Sequence, residues 1–180
     1  MVTAYIGLGS NLGNCRENLL QAWTRLGAVK GVKLLELSGP YRSEPVGMAS
    51  DNWFINAVGC LQTSLSPAVL LATMLAVEKS LGRKRSPGKI PGDRSVDLDL
   101  LYWGDLISKD PSLILPHPEI ANRLFVLLPL AEIGPEVSHP VLKKTSVEML
   151  RDLIARLRNS EFMPQAEKSS WDSEKGEVAE

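Results

Sequence analysis

Arg94-Ser95-Val96-Asp97-Leu98-Asp99-Leu100-Leu101 reads as a strand, because apolar and acidic residues alternate with the two-residue period of a pleated sheet. Asp97 and Asp99 then stand on one face, roughly 6.5 Å apart at Cα. Val96, Leu98 and Leu100 face the other way, into a core. Two adjacent carboxylates repel each other unless a cation lies between them. A divalent ion is the simplest such cation, and a close metal pair is a standard device of phosphoryl chemistry.

Working outward, this strand is the last of a regular alternation. Residues 2–8 read as a strand ending in Gly9-Ser10-Asn11-Leu12-Gly13. Asn14 and Glu17 have the spacing of a capping box and open a helix to about Leu26, with Gly27 as its stop. Residues 32–42 read as a second strand, running into the turn-rich Ser43-Glu44-Pro45-Val46-Gly47, and residues 53–63 as a third. Ser66-Pro67 starts a helix with proline in its first turn. Its apolar residues are Leu70, Leu71, Met74, Leu75 and Leu81, and it ends at Gly82. Residues 83–94 read as a mobile basic loop and 95–103 as the fourth strand. A proline-punctuated stretch at 110–118 and helices at 121–131 and 145–158 follow. The order β-α-β-β-α-β is that of a ferredoxin-like α+β fold: an antiparallel sheet, helices packed on it, and here a helical C-terminal extension.

Bulk properties narrow the class. A chain of 180 residues with 44% apolar content has enough material for one real core. No apolar run reaches membrane-spanning length and no secretory leader is visible. Cys15 and Cys60 lack metal spacing and read as reduced cytosolic thiols. Residues 159–180 hold six acids against two bases, whereas residues 1–158 hold fifteen acids against eighteen bases. The tail is therefore acidic and is expected to be disordered. The body is mildly basic, concentrated at Arg83, Lys84, Arg85, Lys89 and Arg94. Such a cluster suits phosphate or nucleic acid, and equally a solvated loop.

Several groups can carry chemistry. Arginine forks fit phosphate oxygens, so Arg83, Arg85 and Arg94 can collect negative charge that a metal on Asp97 and Asp99 leaves over. Glu78 falls on the edge of its helix's apolar stripe and needs a partner, which Arg83 or Arg85 can supply. Phe54 and Asn56 share a strand face; a ring can stack on a flat heterocycle and an amide can read its edge, with Phe125 as a second ring. Pro116-His117-Pro118 stiffens a histidine near Asn122-Arg123, whereas His139 reads as structural. The glycines at 7, 9 and 13 fit a tight strand-to-helix turn better than a phosphate loop, because the lysine of a P-loop is absent. A non-enzymatic RNA-binding module is the main rival, but the paired acids would repel a phosphate backbone without metal. Another magnesium-dependent phosphoryl or nucleotidyl transferase is the second.

Taken together, these pieces resemble the 6-hydroxymethyl-7,8-dihydropterin pyrophosphokinase family of folate biosynthesis. The motifs are Gly9-Ser10-Asn11-Leu12-Gly13, Tyr41-Arg42-Ser43-Glu44-Pro45, Phe54-Ile55-Asn56-Ala57, Glu78 with Gly82-Arg83, Arg94-x-x-Asp97-Leu98-Asp99, and Pro116-His117-Pro118 with Asn122-Arg123-x-Phe125. The resemblance implies a pyrophosphokinase domain over residues 1–158, followed by the acidic tail 159–180. It implies transfer of pyrophosphate from ATP to the pterin hydroxymethyl group, with release of AMP. Asp97 and Asp99 would hold two Mg2+ ions, and Arg83 and Arg94 would meet the phosphates. Glu78, Arg85, Leu100, His117 and Arg123 would contact ATP. Phe54 and Phe125 would enclose the pterin, with Asn56, Ser43, Glu44 and Val46 reading its polar edge. Asp97 is the only acid considered as a base. The implied protein is a cytoplasmic monomer that acts on small molecules, not on nucleic acid or membrane. Two departures stand out: Asp93 precedes Arg94 where the family usually has proline or a small residue, and the 89–92 stretch lacks the family's common tryptophan.

Overall fold

β1 (Val2–Ser10) runs through the middle of the sheet and pairs antiparallel with a strand on each side. β4 (Phe54–Thr63) pairs with its whole length, from Val2 opposite Thr63 to Ser10 opposite Ile55. β5 (Asp97–Trp103) pairs on the other side, from Ala4 opposite Trp103 to Gly9 opposite Asp97. β2 (Val32–Leu37) and β3 (Tyr41–Ser43) both pair with β4. With α1 (Cys15–Gly27) after β1 and α2 (Pro67–Ser80) after β4, this is the antiparallel split-βαβ arrangement that the element order implies. The computed structural model describes residues 1–47, 50–83, 92–160 and 164–172. The stretch 84–91, with Lys84, Arg85 and Lys89, lies outside the described residues, as does most of the basic loop.

The helix starts follow from local chemistry. The Asn14 side chain accepts from the Glu17 N–H at 3.3 Å and the Ser66 hydroxyl from the Val69 N–H at 3.3 Å, each satisfying a donor the helix leaves open. α2 stops where Gly82 adopts φ +84°, a conformation that spares a Cβ its steric penalty.

The sheet is covered on both faces. Leu19, Ala22 and Leu26 of α1 and Leu70, Met74 and Val77 of α2 pack against Ala4, Ile6, Leu8, Leu98 and Leu100. Full burial of one such leucine stabilises by about 2 kcal/mol. Across the sheet, Val58, Leu101 and Tyr102 meet α3 (Leu124–Ile133) and α4 (Ser146–Arg158). Val96, Leu98 and Leu100 therefore do face a core, and Asp97 and Asp99 point to the opposite side.

Four sequence expectations need correction. The strand expected over 32–42 is broken at 38–40, where Pro40 has no N–H to offer the ladder. Ser38 bridges the gap: its N–H donates to the Val58 carbonyl at 2.9 Å and its hydroxyl accepts from the Val58 N–H at 3.0 Å. β1 continues through Gly9 and Ser10, so only Asn11 to Gly13 make the turn. The stretch 108–115 forms a hairpin, β6 (Ser108–Asp110) with β7 (Leu113–Leu115), turned by the Asp110 carboxylate accepting from the Ser112 N–H at 2.9 Å.

The tail is the fourth. Within the segment expected to be disordered, β8 (Ala166–Lys168) adds to the sheet edge at β3. Composition misled here because a short edge strand draws its stability from the backbone of its neighbour and from one anchor. Trp171 packs against the core and donates its indole N–H to the Ser38 carbonyl at 3.1 Å. Among the described residues, no helix is long and apolar enough to cross a membrane.

Candidate active site

The face of the sheet under α3 opens at one end into a cavity of about 260 Å3. Its floor is glycine. Gly7 sits opposite Asp99 and Gly9 opposite Asp97 on one side, with Val58 and Asn56 on the other. A Cβ on Gly9 would lie 3.2 Å from the Asn56 side-chain oxygen, so the bare backbone is what leaves this floor open. Alternating glycines on the face that carries both acids are a signal the sequence contains; reading them as a turn missed it.

On one side of this floor stand the groups expected to read a flat acceptor. Phe54 and Asn56 extend from β4, Ser43 ends β3, Glu44 and Val46 follow it, and Phe125 extends from the first turn of α3; all six line the cavity. Asn56 is 5% exposed and donates to the Ser43 hydroxyl at 2.9 Å, which fixes its amide plane. Arg94 lies 5.6 Å from the Phe54 ring centroid and Arg123 5.8 Å from that of Phe125, so each ring has a cation beside it.

On the other side stand the charges. Asp97, Asp99, Arg94 and Arg123 line the same cavity. Both oxygens of Asp97 are engaged, Oδ1 by Arg83 and Oδ2 by Arg94. Burial, and then the neighbouring Asp97 charge, push Asp99 up to about 6, while Arg123 pulls it the other way. A desolvated carboxylate beside another one marks a place where positive charge is wanted.

Glu78 and Arg83 stand just behind this wall. Glu78 lies within the buried face of α2, with Leu70, Met74 and Val77, and not at the edge of a stripe through Leu71 and Leu75; Leu75 is exposed. It accepts from Arg83 at 2.5 Å and from the Leu98 N–H at 2.8 Å. This side chain therefore ties the end of α2 to β5, and at 1% exposure it meets no solvent. Leu100 is likewise in the core, away from the cavity lining. Arg85 lies outside the described residues.

His117 is held beside β5 by donation of its own N–H to the Leu101 carbonyl at 3.0 Å. Burial, then Arg123, lowers its pKa, so the ring is neutral near pH 7. Its Nδ1 accepts from the Glu119 N–H at 3.2 Å, which leaves the proton of the neutral ring on Nε2. His139 is structural, as expected: its Nδ1 accepts from the Val141 and Leu142 N–H groups and its ring meets the edge of Tyr102.

Asn11 was passed over as part of a turn. It is 4% exposed, and its N–H and side-chain oxygen pair with the Arg94 carbonyl at 3.1 Å and N–H at 2.8 Å. The available signal was an asparagine directly after a strand, between the glycines at 9 and 13.

Among the described residues, no set of three His, Cys, Asp or Glu side chains is arranged to hold a metal ion. The two aspartates are hard oxygen donors that fit Mg2+, which commonly takes one or two carboxylates and completes its shell with water and substrate phosphate.

Comparison with known proteins agrees with this geometry. Residues 5–135 match the model of the 7,8-dihydro-6-hydroxymethylpterin-pyrophosphokinase family. A 2-amino-4-hydroxy-6-hydroxymethyldihydropteridine pyrophosphokinase of Methylorubrum extorquens is 39% identical over 137 residues, covering 76% of this chain and 85% of that protein. The folic acid synthesis protein fol1 of Pneumocystis carinii is 43% identical over 137 residues, of which this chain spans only 18%. A Plasmodium falciparum HPPK-DHPS structure with pteroate superposes with a TM-score of 0.69 at 14% identity, over 87% of this chain and 45% of that one, which bears on the fold. The chain belongs to the 7,8-dihydro-6-hydroxymethylpterin-pyrophosphokinase family.

Proposed function

We propose how the residues of this cavity divide the work of the family's reaction. That reaction is transfer of pyrophosphate from ATP to the hydroxymethyl group of 6-hydroxymethyl-7,8-dihydropterin, giving the pterin diphosphate and AMP. The observation that carries the assignment is the juxtaposition itself. One cavity has an aromatic and amide wall beside a wall of paired acids and arginines.

The acceptor lies between Phe54 and Phe125, and Asn56, oriented by Ser43, reads its polar edge. Ser43, Glu44 and Val46 close that side. The triphosphate lies toward Asp97, Asp99, Arg94 and Arg123. The alcohol attacks the β-phosphorus in line, the bond from that phosphorus to the oxygen bridging to the α-phosphate breaks, and AMP leaves. Positioning and charge neutralisation are the protein's main contribution to such a transfer. Asp97 and Asp99 are the residues that would hold Mg2+, two ions by the family's pattern. Bound there, the metal supplies Lewis-acid neutralisation of the phosphate oxygens.

Arg83 and Arg94 neutralise Asp97 in the structure and would turn toward phosphate when the triphosphate is bound. His117, with its proton on Nε2, is suited to donate to a phosphate or ribose oxygen. Glu78 acts through Arg83 and β5. Both Asp97 oxygens accept from guanidiniums in the structure, and at least one guanidinium would have to shift toward phosphate for Asp97 to hold metal. The alcohol proton is assigned to no protein group and leaves to solvent.

The test is direct. Protein, Mg2+, ATP and 6-hydroxymethyl-7,8-dihydropterin are mixed and the nucleotides separated. AMP appearing with pterin diphosphate, and abolished by EDTA, is the expected result. Release of ADP, or turnover independent of pterin, would overturn the reading. Turnover that survives EDTA would remove the metal from it.

A further inference from the structure

We propose that Asp93 is a positioning residue: it fastens the loop leading to Phe54 to the arm carrying Arg94, and so couples occupancy of the two halves of the cavity. The inference rests on the assignment of those halves to pterin and ATP given above.

Asp93 is exposed, yet its carboxylate accepts three hydrogen bonds from side chains in two separate loops. Ser50 donates to Oδ1 at 2.6 Å and Asn52 to Oδ2 at 2.6 Å. Asn11 donates to Oδ1 at 2.7 Å. The same Asn11 amide group reaches the Asn52 carbonyl at 3.4 Å. The Asn52 N–H in turn donates to the Ser50 hydroxyl at 3.0 Å, so loop 50–52 presents a preformed pair of donors. The hydrogen bonds from Ser50 and Asn52 hold the Asp93 carboxyl below the usual range, so it is ionised and each bond is charge-assisted.

Chain connectivity turns this knot into a coupling device. Asn52 is two residues before Phe54, the acceptor-side ring. Asp93 is directly before Arg94, whose guanidinium holds Asp97 and lies beside that ring. Asn11 grips both backbone groups of Arg94. With the knot tied, the arm carrying Arg94 and the approach to Phe54 move as one body, so a nucleotide that engages Arg94 also steadies the Phe54 wall through Asp93. A side chain without an acceptor at this position could not make these three bonds, so this fastening belongs to the chain's own sequence.

Binding linkage tests it without turnover. The dissociation constant of 6-hydroxymethyl-7,8-dihydropterin is measured by calorimetry with and without α,β-methylene-ATP and Mg2+. In the wild-type protein the analogue is expected to tighten pterin binding on the order of tenfold. In Asp93→Ala and in Asn52→Ala that enhancement should fall below about threefold, and the double variant should lose no more than either single one. Affinity for the analogue alone should change by less than about twofold, since no triphosphate contact is removed. An enhancement equal to wild type in Asp93→Ala would overturn the proposal, even if its melting temperature fell. Equal pterin affinity with and without analogue in the wild type would also overturn it. Failure of the wild type to bind pterin at all would remove the functional reading first, which separates the two failures.

Discussion

At the scale of single residues, Asp97 and Asp99 differ although they stand side by side. Asp97 is already satisfied by two guanidiniums, whereas Asp99 stands half-buried beside it, with the charge of Arg123 as its main relief. Asp97→Ala and Asp99→Ala should each lower pterin-dependent AMP release by about 100-fold or more while circular dichroism stays native, because the proposed ligands of the cation are lost. Native-like turnover in either variant would remove that residue from the mechanism. Asp99 also predicts a pH effect on stability. Its folded-state pKa of about 6 lies above the ordinary 3.8, so between those values the native state holds a proton that the unfolded chain has released. That contribution is complete below the lower value and is lost as pH rises through the upper one. Asp99→Asn, measured without divalent metal, should therefore gain melting temperature over wild type at about pH 8 and gain less at about pH 5. A difference independent of pH would show that Asp99 titrates normally.

At the scale of elements, the sequence is clearest where periodicity and caps act locally. β5, the Asn14 and Ser66 helix starts and the acceptor pair Phe54 and Asn56 stand where the alternation and spacing place them. What escaped the sequence depends on distant partners. Whether Leu71 or Val77 belongs to the buried stripe of α2 is decided by which face β5 offers, and that decision puts Glu78 in the interior. Ser38 replaces a ladder bond only because Val58 lies opposite. β8 exists because β3 has a free edge, and the tail contacts extend further: Gln165 and Glu44 exchange hydrogen bonds, and Arg16 donates to the Ser170 carbonyl at 2.7 Å. Trp171→Ala should therefore cost about 1–2 kcal/mol, read as a drop of several degrees in melting temperature. Deleting residues 164–180 should cost at least as much. It should also raise the KM for pterin more than that for ATP, because Glu44 loses its backbone partner on the acceptor side. An unchanged melting temperature in both variants would mean the strand adds nothing to the fold.

At the scale of the whole molecule, the cavity joins two parts of the chain that fold around different faces of one sheet. α1 and α2 pack behind it and fix β5, through Glu78, from the donor side. α3 covers the front and supplies Phe125, while β4 and β3 supply Phe54, Asn56 and Ser43. Under the proposed assignment the two substrates meet on side chains carried by separate elements, so their binding contributions should be separable by mutation even with the proposed coupling of occupancy. A ligand that binds only the native state at 100 times its dissociation constant stabilises by about 2.7 kcal/mol. In a domain of this size that is a melting-temperature rise of roughly 5–10 °C. With wild-type protein, pterin alone and α,β-methylene-ATP with Mg2+ should each produce such a rise. Phe125→Ala should lose most of the pterin rise and keep the nucleotide rise, because the ring is removed and Asp97, Asp99 and Arg94 are untouched. Asp99→Ala should show the reverse. If each variant lost both rises equally, the cavity would be a single cooperative unit, and the division of its walls between donor and acceptor would be wrong.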